Sequence, residues 1–159
     1  MTAKVAVAAT AALVVSTLAF AQAPMPYGTS ITADTAKKLA TAAAAEARKG
    51  QLAMAIAIVD IAGDLVYFER MDDTQVGSVD VAIDKARSAA RFKRPTKAFQ
   101  DILAAGGEGI RMLALKGAVP VDGGVPLVAG GKVVGAIGCS GGTSTQDGQC
   151  AQAGVNALK

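Results

Sequence analysis

Apolar residues alternate or recur at helical spacing along most of this chain, and the two patterns predict its main elements. Residues 53–60 alternate between two faces with little polarity on either, which is typical of a central strand. Turn residues follow at 60–64, and residues 65–70 predict a second strand that returns beside the first. Small apolar residues recur at helical spacing between the N-cap Thr32 and Gly50, which predicts a helix able to lie close on a sheet.

Capping residues and helix breakers predict three further helices. One begins at Ser78 and ends near Arg94, because Pro95 stops it. A shorter helix covers residues 97–105, and Thr143 or Ser144 caps a last one. Residues 108–120 are ambiguous between a strand and a helical turn.

A glycine-rich hairpin occupies residues 123–142, whose sequence is GGVPLVAGGKVVGAIGCSGG. The Gly-Gly pair at 130–131 predicts a two-residue turn between strands 125–129 and 132–139. In that register Pro126 faces Gly135, and its missing N–H is harmless if strand 125–129 is an edge strand. The order of all these elements predicts a single α+β domain with a mainly antiparallel sheet.

The loop Ser140-Gly141-Gly142 joins the return strand to the last helix and is a candidate ligand site. Its N–H groups and the helix N-terminus favour a bound anion or carboxylate, and a plain tight turn is the alternative. Residues 138–142 also satisfy the G-x-S-x-G pattern of serine hydrolases. The chain contains no histidine, which removes the usual general base and argues against a hydrolase.

The N-terminal 21 residues have the features of a secretory signal peptide. Lys4 provides the charged region, an apolar stretch follows, and Ala19-Phe20-Ala21 fits the cleavage site. A retained membrane anchor is the alternative. We therefore expect a flexible lead at 22–30, a domain at 31–159, a periplasmic or secreted location, and no membrane contact after cleavage.

Charge and cysteine content limit the partners. Removal of the predicted signal peptide takes away only Lys4 and leaves 15 basic residues against 13 acidic ones, too small an excess to indicate nucleic-acid binding. Export favours an oxidising compartment, where Cys139 and Cys150 either form a disulfide or stay as two buried thiols. No CxxC pair is present, and the acidic corner around Asp72 is more typical of a solvated turn than of a metal site.

Lys85 is the most unusual cation, because it shares a helix face with Ser88 and Phe92 rather than with the neighbouring arginines. A snorkelling surface lysine is one interpretation, and a cation that faces a ligand is the other. A ligand-facing Lys85 also permits an enzyme acting on a small organic acid, with Lys85 as base or electrostatic clamp and Asp60 or Asp72 as acid or base.

Several short motifs, taken in order, resemble the GlcG/HbpS haem-binding (haem-degrading) family. They are Val59-Asp60 with Gly63 and Leu65, Arg70-Met71-Asp72, Lys85-Ala86 with Ala89-Ala90 and Phe92, residues 123–126, residues 134–138, residues 140–142, and Asp147. The resemblance runs from about residue 31 to residue 158. Asp73 and Gly148 depart from the family pattern.

The resemblance implies a profilin-like domain with about five antiparallel strands, a homo-oligomer, and a pocket for a small ligand such as haem. Residues expected to line the pocket are Arg70, Lys85, Phe92, Gly123, Gly124, Pro126, Ser140, Gly141 and Gly142. Because histidine is absent, an axial haem ligand would have to be Met, Tyr or Cys, and the candidates include Met54, Met71, Met112, Tyr27, Tyr67, Cys139 and Cys150. A purely structural module without ligand is the remaining alternative.

Overall fold

The computed structural model describes residues 25–158, so the predicted signal peptide lies outside the described residues. The helices are α1 (Ala33–Lys49), α2 (Ser78–Phe92), α3 (Thr96–Ala104), a 3₁₀ helix (Gly107–Ala114) and α4 (Ser144–Asn156). The strands are β1 (Ala55–Val59), β2 (Leu65–Arg70), β3 (Gly124–Ala129) and β4 (Lys132–Ser140). Across residues 25–158, no helix combines the length and the apolar character needed to cross a membrane.

One antiparallel sheet organises the domain, with strand order β2-β1-β4-β3. The predicted α+β class is confirmed, and β1 is a central strand whose five residues are all buried. The sheet of the described residues has four strands rather than about five.

Helices cover both faces of the sheet, as the alternation in β1 requires. Met54, Ile56 and Ile58 point to a core shared with α1 and α4. Ala55, Ala57 and Val59 point to a second core shared with α2. The second core contains mostly alanine, and Gly138 has no room for a Cβ because the backbone of α2 at Ala82 and Ala86 lies against it. These small residues bring α2 unusually close to the sheet.

The β3–β4 hairpin has the predicted turn but not the predicted register throughout. Gly130 and Gly131 have φ of 55° and 73°, and Ala129 pairs with Lys132. A β-bulge at Val134 then shifts the pairing, so Pro126 faces Ala136 and not Gly135. Val134 uses its carbonyl to accept a hydrogen bond from the N–H of Ile31, at 2.8 Å, outside the hairpin. Strand β3 lies at the edge of the sheet, which is the condition under which the missing N–H of Pro126 is harmless.

Helix ends follow the capping residues. Thr32 caps α1, Gly50 follows its end, and Thr143 forms a capping box with Gln146 at the start of α4. The ambiguous segment is the 3₁₀ helix Gly107–Ala114, none of whose residues is buried.

The lead before α1 is attached to the sheet from Pro26 onward, although the sequence predicts a flexible segment. The Pro26 carbonyl accepts from the N–H of Val133 at 3.0 Å, and the Gly28 N–H donates to the Val133 carbonyl at 2.8 Å. The hydroxyl of Tyr27 donates to the Ala90 carbonyl at the end of α2, at 3.0 Å. These bonds hold this part of the lead across one end of the molecule.

Candidate functional site

A buried ion pair joins α2 to the first turn of α4. The Lys85 Nζ donates to Asp147 Oδ2 at 2.7 Å and to the carbonyl oxygen of Cys139 at 3.1 Å. The two side chains are only 1% and 4% exposed. Lys85 sits on the alanine-rich face of α2, where close packing on β4 leaves its stem no path to solvent.

The glycine loop holds the same carboxylate from the other side. The N–H groups of Gly141 and Gly142 donate to Asp147 Oδ1 at 3.1 and 2.9 Å. The predicted anion cradle therefore exists, but the carboxylate in it belongs to the protein itself. Asp147 lies in the first turn of α4, where the helix N-terminus also favours negative charge.

Gly123 and Gly124 pack directly against the same centre, and neither has room for a side chain. A Cβ on Gly123, whose φ is 123°, would lie 2.8 Å from Lys85 Nζ and 2.7 Å from the Cys139 carbonyl. Gly124 meets the backbone carbonyl of Lys85, and its N–H donates to Thr96 Oγ1 at 2.9 Å. The glycines thus serve close packing around the ion pair.

The chemistry of this centre is that of a structural pair rather than an exposed acid or base. Burial raises the pKa of the Asp147 carboxyl, and the hydrogen bonds from Lys85, Gly142 and Gly141 oppose that rise. The Lys85 ammonium has all its contacts inside the protein, so the structure gives no support to Lys85 as a catalytic base.

The structure separates the other predicted pocket residues from this centre. Ser140 is near it, and its hydroxyl meets that of Ser78 at 3.3 Å. Phe92 packs edge-to-face on Phe99 with ring centroids 5.3 Å apart. Pro126 is buried in β3, and Arg70 donates to the Thr74 carbonyl at 3.0 Å at the opposite edge of the sheet. The predicted nine-residue pocket is therefore not one site.

Arg70 instead lines a surface cleft of about 510 Å³, which we call the Arg70 cleft. Its walls come from the end of α1, the segment before β1, and the end of β2 with the turn that follows. The lining includes Arg48, Leu52, Glu69, Arg70, Met71 and Asp72. Arg48 approaches Glu69 at 3.6 Å, so the cleft contains two cations, acidic groups on its rim, and apolar surface from Leu52 and Met71.

The two carboxylates of the enzyme hypothesis have different places. Asp60 Oδ1 accepts from the N–H groups of Ala62 and Asp64, both at 2.9 Å, so it shapes the β1–β2 turn. Asp72 lines the Arg70 cleft. Neither lies beside Lys85, and the three residues do not form one catalytic site. No group of three histidine, cysteine, aspartate or glutamate side chains within residues 25–158 is arranged to hold a metal ion.

Cys139 and Cys150 are free thiols in the structure, and both are buried in the core beneath α1 and α4. Of the two alternatives, the structure contains the pair of buried thiols and not the disulfide. Burial raises the pKa of Cys139 well above its usual range, and that of Cys150 to about 11.

Sequence reasoning missed the role of Asp147 and the contribution of Arg48 and Leu52 to the cleft. An aspartate in the first turn after a glycine loop is the pattern that points to the first of these. No local sequence pattern predicts that Arg48 and Arg70 line the same cleft, because their proximity depends on how α1 packs against β2.

The fold and these sites define a small α+β protein with four helices on an antiparallel sheet, a buried Lys-Asp centre, and an open cleft. Comparison with known proteins gives its family. Residues 31–156 match the model of the family described as haem degrading protein HbpS-like, and the chain belongs to this family. The resemblance inferred from the sequence motifs is thereby confirmed.

Three similar proteins illustrate the range of the family. An uncharacterized 15.0 kDa protein from the dhaT-dhaS intergenic region of Citrobacter freundii is 35% identical over 119 residues, 74% of this chain and 84% of that protein. A double mutant of Streptomyces reticuli HbpS matches with a TM-score of 0.76 at 29% identity, covering 97% of this chain and 99% of that one. A PduOC:haem complex matches with a TM-score of 0.73 at 27% identity, covering 82% and 96%.

Proposed function

We propose that this protein binds haem or a related tetrapyrrole in the Arg70 cleft, with the sulfur of Met71 as the axial ligand. The observation that carries the proposal is the position of Met71, which is half-buried and lines a cleft of about 510 Å³ beside two arginines. That volume is within the usual range for ligand sites. The haem named in the PduOC complex and the family description support the choice of ligand.

The other candidate axial ligands are less suitable. Met54, Cys139 and Cys150 are buried in the core, at most 2% exposed. The Tyr27 hydroxyl is bonded to carbonyls at the end of α2. Tyr67 packs against the core, and Met112 belongs to the 3₁₀ helix, away from the cleft lining. Of these candidate axial ligands, Met71 is the one that lines the Arg70 cleft.

The remaining groups of the cleft suit the periphery of a tetrapyrrole. Arg48 and Arg70 carry the charge needed to pair with two propionates, and guanidinium groups bind carboxylates in a two-pronged manner. Leu52 supplies apolar surface for the ring. Bound haem would supply an iron centre with redox and ligand-binding chemistry, while the chain supplies the thioether ligand, the cations and partial exclusion of water.

Titration with hemin, followed by Soret absorbance, tests this function. We expect saturable binding by the wild type, and a shifted Soret band with at least about tenfold weaker binding in Met71→Leu, which keeps the volume but removes the sulfur ligand. Met112→Leu is the matched control and should bind like the wild type. The absence of saturable hemin binding removes haem as the ligand, and an unchanged Met71→Leu spectrum removes Met71 as its axial ligand.

We also propose that the protein is exported and that residues 1–21 are removed. The support is the signal-peptide pattern of the sequence together with the attachment of the chain to the sheet from Pro26 onward. Intact mass measurement on protein from a periplasmic fraction should give a chain that begins at Gln22. Recovery of the uncleaved chain in the membrane fraction would contradict export with cleavage.

A homo-oligomer is the last part of the proposal, and α3 with the 3₁₀ helix is the surface that supports it. Ile102, Ile110 and Leu113 are 38%, 60% and 67% exposed there, an unusual density of large apolar side chains. The alanine run of α1 is less suitable as a contact surface, because Ala43 and Ala44 are buried inside the protomer. Light scattering should show a smaller assembly for Leu113→Asp, and no change for Val76→Asp, whose side chain is 79% exposed elsewhere. A wild-type monomer at micromolar concentration would contradict the proposal.

A further inference from the structure

A second cleft, separate from the Arg70 cleft, lies between α2 and the segment that follows the 3₁₀ helix. It has a volume of about 420 Å³ and is lined by Asp84, Arg87, Arg91, Gly117, Ala118 and Val119. We call it the Arg87–Arg91 pocket. None of these residues belongs to the Arg70 cleft or to the buried Lys-Asp centre.

The two arginines are anchored in the same way. Arg87 Nε donates to the Gly63 carbonyl at 3.1 Å, and Arg91 Nε donates to the Ala62 carbonyl at 2.8 Å. The side chains are one helical turn apart, and they bond to adjacent residues of the β1–β2 turn. A Cβ on Gly63 would lie 2.9 Å from Arg91 Nε and 3.4 Å from Arg87 Cγ, so the turn and both arginines are in close contact. Both Nε atoms are consequently anchored on the same turn, and both side chains line one pocket.

Positive charge in this pocket is only partly balanced. Arg87 has one carboxylate partner, Asp84, at the long distance of 3.7 Å, and the Asp84 side chain is 60% exposed. Within residues 25–158 Arg91 forms no ion pair, and the nearby Asp60 uses its carboxylate on backbone N–H groups. Two fixed guanidinium groups with one loose counter-charge attract an anion.

We infer that the Arg87–Arg91 pocket is a binding site for a phosphate group, either inorganic phosphate or the phosphate of a small monoester. Two guanidinium groups that line one pocket match a compact dianion with several oxygens better than a singly charged carboxylate. This site is additional to the proposed tetrapyrrole site, since the two clefts share no lining residue.

Calorimetric titration with inorganic phosphate and with glycerol phosphate, at low salt, tests the inference on the full mature chain. Saturable binding is expected, with affinity lowered about tenfold or more in Arg91→Ala and also lowered in Arg91→Lys, which keeps the charge but loses the fork. Arg111→Ala is the matched control, because it removes an equal charge from an exposed arginine on the 3₁₀ helix. Equal binding by wild type and Arg91→Ala would overturn the assignment.

A second variant tests phosphate binding through a gain of affinity, which misfolding could not produce. The Asp84 side chain is 60% exposed and approaches the Arg87 guanidinium at 3.7 Å, so Asp84→Asn should fold normally and bind phosphate more tightly, by about threefold or more, because it removes the competing carboxylate. No gain in affinity would place the anion elsewhere. Succinate binding as tightly as phosphate would overturn the phosphate assignment. Hemin titration should be unchanged by saturating phosphate, and competition between the two would show that the sites are not separate.

Discussion

Loss of the charge on either side of the Lys85–Asp147 pair should destabilise the fold far more than loss of a surface pair. Asp147→Asn keeps an oxygen for the N–H groups of Gly141 and Gly142 but leaves the Lys85 ammonium buried with only the Cys139 carbonyl. Removing one partner of a buried pair typically costs about 3–5 kcal/mol. Lys85→Met leaves the Asp147 carboxylate buried with two N–H donors and should cost a similar amount.

The chain contains a matched control for burial. Lys97 and Asp101 also lie 2.7 Å apart, but their side chains are 55% and 58% exposed, against 1% and 4% for Lys85 and Asp147. An exposed pair four residues apart on a helix is screened by water and contributes little to stability. Lys97→Met should therefore change the unfolding free energy far less than Lys85→Met does, although the distance between the charges is the same.

Urea unfolding of the two single variants and the double variant Lys85→Met/Asp147→Asn measures the coupling. The double variant should lose less stability than the sum of the two single losses, because it leaves no unpaired charge in the core. Additive losses, or single losses of less than about 1 kcal/mol, would refute the reasoning. Such a result would mean that water reaches the pair or that the charges are not the source of its contribution.

Two further predictions concern the residues around this centre. Gly123→Ala should lower the unfolding free energy by about 2 kcal/mol or more, because its φ is 123° and the Cβ would contact the Asp147 side chain and the Cys139 carbonyl. Gly130→Ala, with open space around its Cβ, is the control and should lose about 1 kcal/mol in thermal unfolding. The pKa of Cys150 rises from 9.0 to about 11, so its folded state retains the proton more strongly than the unfolded state does. The unfolding free energy should accordingly fall by about 2 kcal/mol as pH rises from 9 to 11, with a slope that approaches about 1.4 kcal/mol per pH unit between the two pKa values, and urea unfolding of Cys150→Ala should lack this component.

The elements that depend only on residues close together in the sequence were predictable from it. Alternation in residues 53–60 gives both faces of β1 because the strand period is two and both faces are buried. Thr32, Gly50 and Thr143 mark helix ends because caps satisfy local backbone groups. The Gly-Gly turn is equally local.

The bulge at Val134 was not predictable in the same way, because it depends on a partner outside the hairpin. The Val134 carbonyl accepts from the N–H of Ile31, which the lead brings across β4. That contact takes one residue of β4 out of the ladder and changes the partner of Pro126. The hairpin sequence alone therefore could not predict the pairing of Pro126, because Ile31 lies outside it.

The occupant of the glycine loop was not predictable for a related reason. A glycine loop that presents N–H groups at a helix N-terminus has the same local sequence whether its carboxylate comes from a ligand or from the chain. Here Asp147 lies five residues after Gly142 and turns back into the loop. Lys85, which was predicted to share a helix face with Ser88 and Phe92 rather than with the arginines, completes the centre from α2. Sequence reasoning gave the correct chemical preference and the wrong source of the anion.

The state of the two cysteines is the remaining consequence of this close packing. Cys139 and Cys150 lie in one core as free thiols, with raised pKa values. At pH 8 a thiol with a pKa of about 11 is only about 0.1% thiolate, against about 10% for a pKa of 9.0, and the thiolate is the reactive form. Burial slows reaction further, so the folded protein should not react measurably with Ellman's reagent.

Thiol titration of protein prepared without reductant separates the two possible states. We expect no reaction in the folded protein and two thiols per chain after denaturation, because neither thiol is exposed enough to meet an oxidant or a partner thiol. Cys150→Ala should then give one thiol after denaturation. Absence of thiols in the denatured, unreduced wild type would show that a bridge forms after export.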